Sequence, residues 1–361
     1  MTKGRTMSRL KTSGDRFRYK VRGAGGFTLI ELMVAMLLGL IVIAGVVSVF
    51  LAGQQSYRTN VALGDIQDGS RIAFEMMARD IRGAGFTGCT NNGKVSNVLN
   101  AAPVNGGTSW WADFGNAVHG YPAASGTASD PALTIGTAAT DQVANTDSIQ
   151  LIGAADSGLS VKDDHEPSAG FHINSASNDL AQGDVLVVCD PDHAAIFQVT
   201  NDPQVGTFEV NHDRSSGSHA GNCSKGLGYP PVCTAVGNSY SFGANSQIAR
   251  LTADDWYIGN YVDSSSGVKG TSLYRLDLAN VAGTPTTTPQ EMVRNVSGMS
   301  ILYHQAPAPA FVGAASVTDW SAVDAVRVTL TVQSTDQRAG TDVKPLSRTF
   351  VATTTVRNRV K

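Results

Sequence analysis

The chain has 361 residues, 42% of them apolar, a net charge of −3 and a mean hydropathy close to zero. That is the bulk composition of an ordinary globular protein of one large domain or two. On these averages the chain would not be assigned to a membrane, and no direct binding of nucleic acid is predicted.

The distribution along the chain gives a different answer about the membrane. Residues 1–26 carry eight basic side chains (Lys3, Arg5, Arg9, Lys11, Arg16, Arg18, Lys20, Arg22) against one acid, Asp15, a local +7 in a chain of −3 that leaves −10 for residues 27–361. Residues 27–53 then hold one ionisable group, Glu31, in 27 residues, where about 20 apolar residues suffice to cross the hydrocarbon core. The positive-inside rule keeps the basic flank in the cytoplasm and exports the remainder of the chain, an N-in, C-out topology. A removed secretory signal is the competing interpretation. Its apolar region is shorter, roughly 7–15 residues, and its small-residue cut comes after that region. Here the small cluster Gly23-Ala24-Gly25-Gly26 precedes the apolar run, so a cut at Gly26 leaves the hydrophobic helix on the mature chain.

The junction reads Gly26-Phe27-Thr28-Leu29-Ile30-Glu31. A carboxylate inside a bilayer costs about 2.5–3.5 kcal/mol on insertion scales, so Glu31 needs a partner, a function, or solvation among the headgroups near the helix start. With its basic leader and apolar sequel, the hexapeptide closely resembles the class III signal of type IV prepilins. The resemblance implies that a prepilin peptidase cuts between Gly26 and Phe27 on the cytoplasmic side and methylates the new amino group of Phe27. It also implies that Glu31 meets the charged N-terminus of a neighbouring subunit when the hydrophobic helices bundle. Met7 is a second candidate start. Many major pilins have a proline in the membrane half; here only Gly39 and Gly45 are weak points.

Past the span, Ala62, Ile66, Ser70, Ala73, Phe74, Met77 and Ile81 recur at spacings of three and four, with Asp65, Asp68, Arg71, Glu75, Arg79 and Arg82 on other faces. This predicts an amphipathic continuation of the same helix, 56 residues from Phe27 to Arg82 and about 84 Å long, that packs one stripe on a globular head and stops at Gly83 and Gly85.

Residues 86–147, rich in Gly, Ala, Ser, Thr and Asn with Trp110, Trp111 and Tyr121 as anchors, are expected to be a long irregular excursion. Short β-favouring runs come next at 148–154, 184–190, 195–200, 207–212, 272–278, 299–305, 325–334 and 348–357. Val326, Val328, Leu330 and Val332 alternate as a half-buried antiparallel strand does. Helix first and sheet afterwards give an α+β, pilin-like architecture. Its parts are a leader (1–26), a membrane half (27–53), an amphipathic half (54–85) and one exported β-rich head (86–361), with the irregular insertion around 90–147.

All four cysteines lie after the span, in an oxidising compartment under this topology. Four cysteines allow three connectivities. Cys223 and Cys233 flank a Gly/Pro-rich loop, which favours a local bridge and leaves Cys89 to meet Cys189. A zinc site is disfavoured, because no short Cys-x₂₋₄-Cys knuckle is present. Gly83-Ala84-Gly85-Phe86-Thr87-Gly88 matches G-x-G-x-x-G in form, but it follows a helix and opens none. Residues 88–95 resemble a P-loop until Val95 replaces the metal-binding hydroxyl. The acids Asp163, Asp164 and Glu166 and the turn Asp190-Pro191-Asp192-His193 are candidate cation loops, with a solvated loop the favoured interpretation. No catalytic residue, cofactor or metal is expected.

Residues 68–89 (DGSRIAFEMMARDIRGAGFTGC), with GDVLVVCD and the terminal TVRNRVK, resemble the PilW group of minor type IV pilins. That resemblance implies a non-enzymatic, low-copy subunit anchored once in the inner membrane with a periplasmic head. Such a subunit passes to the cell-surface pilus and helps prime assembly with other minor pilins, the major pilin and a tip adhesin, in support of twitching, adhesion or DNA uptake. Two alternatives remain: a J-type minor pseudopilin of type II secretion, for which the head looks too large, and, more remotely, a membrane-anchored periplasmic enzyme or binding protein.

Overall fold

A helix, α1, begins at Leu29 and continues without a break to Gly83, 55 residues in all. The computed structural model describes residues 25–89, 93–164, 169–175, 179–203, 209–214, 221–263, 265, 267–342 and 344–359. Most of the basic leader, the alternative start at Met7, Glu166 and the last two residues lie outside the described residues. The chain divides into two compact units, Met1–Ser56 and Tyr57–Lys361. In the first, no side chain of residues 25–53 is buried. In the second, α1 buries Ala62, Ile66, Ser70, Ala73, Met77, Ala78 and Ile81, the three- and four-residue spacing that keeps one face of a helix on a core.

Among the described residues, fourteen strands and five single-turn 3-10 helices follow; the strands are β1 (Val95–Asn97), β2 (Val118–Tyr121), β3 (Ser148–Asp164), β4 (Gly170–Ile173), β5 (Val185–Cys189), β6 (Ala194–Gln198), β7 (Glu209–Asn211), β8 (Gln247–Val262), β9 (Lys269–Val281), β10 (Thr284–Arg294), β11 (Val296–Gln305), β12 (Phe311–Gly313), β13 (Val323–Gln333) and β14 (Ser347–Thr355). They form a ten-stranded sheet ordered β1-β6-β5-β8-β3-β4-β7, with β2 on β3 and the β9-β10 hairpin on β8, and a four-stranded sheet ordered β12-β11-β13-β14. Pairing is antiparallel except between β1 and β6. The long strands β3 and β8 pair from Ile149↔Trp256 to Ser160↔Gln247 and form the spine. β9 turns into β10 through Ala282 and Gly283, both at positive φ, which matches the right-handed twist of a two-residue hairpin.

The main core lies where the amphipathic half of α1 meets both sheets. Ile66, Ala73, Met77 and Ile81 share it with Val118, Ile149, Leu151, Trp256, Ile258 and Leu273 of the large sheet. Met299, Ile301, Tyr303, Val326, Val328 and Leu330 enter it from the small one. The α+β expectation, with a long N-terminal helix on antiparallel sheets, is met. The segment expected to be an irregular excursion is partly built into the head: it contributes β1 and β2, and it buries Trp111, Ala112, Ala117 and Val118. Burying those side chains is worth more than leaving a polar loop in water.

Candidate assembly site

Gly25 to Thr28 precede α1 without regular structure, and Thr28 caps the helix. Its carbonyl accepts the N–H groups of Glu31 and Leu32, both at 3.1 Å, and its hydroxyl accepts the Glu31 N–H at 3.3 Å. Thr28 therefore stands at the cap, its hydroxyl taking up one orphan donor of the first turn, with Glu31 three residues on. A carboxylate in the first turn is also favoured by the positive end of the helix dipole. The carboxylate itself is exposed, and the cap bonds use only the Glu31 backbone N–H.

Around it lies an apolar surface. Phe27 is 82% exposed and Leu29 77%, and large aliphatic side chains remain exposed as far as Leu51. The helix is long and apolar enough to cross a membrane, with its most apolar window wholly unburied. Such a surface does not persist in water; lipid or other apolar helices must cover it.

At its other end α1 stops at Gly83, and Gly85 and Gly88 take positive φ. Gly88 lets the chain pass close to Cys189, since a Cβ there would sit 3.3 Å from the Cys189 Sγ. The four cysteines form two disulfides, Cys89–Cys189 with Cα atoms 5.9 Å apart and Cys223–Cys233 at 4.9 Å. The first ties the exit of α1 to β5. The glycine run lies at this exit and opens no second helix.

One arrangement in the helix–sheet core was not read from the sequence. The Arg275 guanidinium of β9 lies 3.4 Å from Asp254 of β8, 3.7 Å from Asp277 and 3.8 Å from Asp80 of α1. The Trp256 indole N–H donates to Asp80 at 3.0 Å. Three carboxyls share one cation. Burial, with the Asp80 carboxylate adding to it and Arg275 opposing, pushes Asp254 up to about 8. Burial likewise raises Asp80, against the pull of Arg275. On the opposite face of β8, Asp255 is fully buried beside Asp130, and burial followed by the Asp130 charge holds it well above the usual carboxylate range. Asp130 accepts from Ser148 at 2.8 Å and Gln150 at 2.9 Å. The available signal was an Asp-Asp pair directly before the apolar triplet Trp256-Tyr257-Ile258.

The candidate cation loops are used internally. Asp190 caps its own turn through the N–H groups of Asp192 and His193, both at 2.9 Å, and accepts from the Tyr240 hydroxyl. Asp192 pairs with Lys94 at 2.9 Å. Asp163 contacts His172 at 2.6 Å, and Asp164 accepts the Phe242 N–H. Among the described residues no group of three or more His, Cys, Asp or Glu side chains is disposed to hold a metal. A cavity of about 500 Å³ between the helix exit, Phe114, Tyr229 and Arg359 is lined by groups already bonded within the chain, such as Asn97 to Ala112 and Asp113 to Asn116.

Residues 21–47 match the family model described as the prokaryotic N-terminal methylation motif. No curated protein matches the chain. The matched residues span the Gly-Phe junction, the Thr28 cap, Glu31 and the first turns of the apolar helix. The chain is therefore type IV pilin-like: an N-terminal methylation motif heads a membrane-length helix whose second half is the core helix of a disulfide-bonded β-sheet head.

Proposed function

We propose that this chain is a minor type IV pilin, PilW-like, that helps prime pilus assembly and works at or near the pilus tip. The observation that carries the proposal is the matched motif on a capped helix whose apolar surface has no cover within its own chain. In this reading a prepilin peptidase cuts between Gly26 and Phe27 and methylates Phe27, the helix holds the chain in the inner membrane with its head in the periplasm, and the two disulfides fit that compartment. Other minor pilins, the major pilin and a tip adhesin are the partners, and twitching, adhesion or DNA uptake the outcome. The role is structural, without catalysis or a cofactor. Within a bundle of such helices Glu31 answers the positive N-terminus of a neighbour.

Replacing Glu31 tests the pairing. Glu31→Ala removes an attraction that exists only in the bundle, together with the burial cost of the acid, so membrane level, cleavage and head folding should be kept. Its cap survives, because the contacts of Thr28 are made by backbone N–H groups. Entry into sheared pili should fall, and Glu31→Asp, one methylene shorter, should give an intermediate loss. Normal incorporation of the alanine variant at equal abundance would reduce Glu31 to a solvated charge at the membrane interface. The same motif serves pseudopilins. Deletion that spares surface piliation and abolishes exoprotein secretion would transfer the role to type II secretion.

A further inference from the structure

The sheets guard most of their edges. β1, β7 and β12 are three residues long and β2 is four, while β10 carries Pro285 and Pro289 and a register shift at Glu291/Val293. Short edges, prolines and bulges are the usual means by which a sheet avoids pairing with another chain. β14 has none of them. It is nine residues long, pairs with β13 without a register shift, and contains no proline, lysine or acid. From Thr349 to Val356 it is uncharged and mostly β-branched.

The orientation of its backbone is set by the ladder. The Val356 N–H donates to the Asp324 carbonyl at 2.8 Å, and pairing continues in step from Ala325↔Thr355 to Gln333↔Ser347. Arg348, Phe350, Ala352 and Thr354 therefore bond inward. Ser347, Thr349, Val351, Thr353 and Thr355 turn N–H and C=O to the open edge, where no backbone partner is found among the described residues. Val351 is 61% exposed.

We propose that this edge is an interaction surface and that its partner is β14 of a second copy, paired antiparallel about Val351. The strand is self-complementary in that register. Val351 faces Val351 of the second copy, Thr349 faces Thr353, Phe350 faces Ala352 and Arg348 faces Thr354, so favourable β-branched pairs line up and no like charges oppose. The two small sheets become one continuous eight-stranded sheet. This contact lies beyond the proposed role in assembly and does not depend on it.

Sedimentation of the full-length protein in detergent micelles over a concentration series tests it. The wild type should dimerise. Val351→Lys, at an exposed site, places two lysines opposite each other and should weaken dimerisation by roughly tenfold or more with the melting temperature unchanged. Because the four cysteines are all in bridges, a new thiol reports register. Val351→Cys should cross-link to itself on oxidation; Thr349→Cys should cross-link only when mixed with Thr353→Cys. A wild type that stays monomeric, a dimer that Val351→Lys leaves intact, or self-cross-linking of Thr349→Cys in place of Val351→Cys would each overturn the proposal.

Discussion

Replacing Asp254 by asparagine should change how the head responds to pH. In the unfolded chain an aspartate loses its proton near pH 4, whereas in the fold Asp254 keeps its proton up to about 8, because it is buried and faces Asp80 and Asp277 with only Arg275 to balance them. Below about pH 4 both states are protonated and the site contributes no pH dependence. As pH rises from there, only the unfolded state releases a proton, and stability falls by up to about 1.4 kcal/mol per unit until the folded carboxyl also ionises near 8. Asparagine keeps the shape and cannot ionise. Urea unfolding of the full-length protein in micelles, followed by tryptophan fluorescence at steps from pH 4.5 to 8, should therefore show wild type and Asp254→Asn close together at the acid end. The variant should become the more stable as pH rises, with a gap on the order of 2–3 kcal/mol opening between pH 5 and 7. A constant offset across the range, or a wild type that gains on the variant with rising pH, would refute the shared-cation account of the cluster.

The packing sets other expectations. Removing the bridge between Cys89 and Cys189, separated by 100 residues, should cost about 4–5 kcal/mol, and removing the one between Cys223 and Cys233, separated by 10, about 3 kcal/mol in the entropic view; paired Cys→Ser melts rank the two. Gly120→Ala should destabilise the head by about 1–3 kcal/mol, since an added Cβ would overlap the hydroxyl of fully buried Tyr303. A melting temperature equal to that of wild type would show that this contact can relax.

The amphipathic half of α1 was legible because one physical demand, a single buried face, writes itself as a 3.6-residue period. Ala62, Ile66, Ser70, Ala73, Met77 and Ile81 are buried as that stripe requires, and Phe74 is half-buried beside them. β13 was legible for the corresponding reason at period two, with Val326, Val328, Leu330 and Val332 all buried. β8, the spine of the large sheet, was not. It is covered on both faces and so shows no alternation, and Asp254-Asp255 in its middle looks like a turn unless the cation beside Asp254 and the buried carboxyl that keeps Asp255 protonated are known. Those partners come from α1, β9 and the loop at Asp130, far away in sequence. β10 was hidden by Pro285 and Pro289, which an edge strand tolerates and a central one does not. The helix start was legible as a motif, but the Thr28 cap on the Glu31 N–H emerged only from the hydrogen bonds.

The central claim is that Gly26-Phe27 is a processing junction and that residues 27–53 are retained. Intact-mass analysis of the protein extracted from membranes tests it most directly. One mature species beginning at N-methylated Phe27 is expected, lost in favour of the full precursor when Gly26 is replaced by a bulky residue. A mature chain that begins after the apolar run, or a membrane protein that retains its basic leader in the presence of the peptidase, would contradict it.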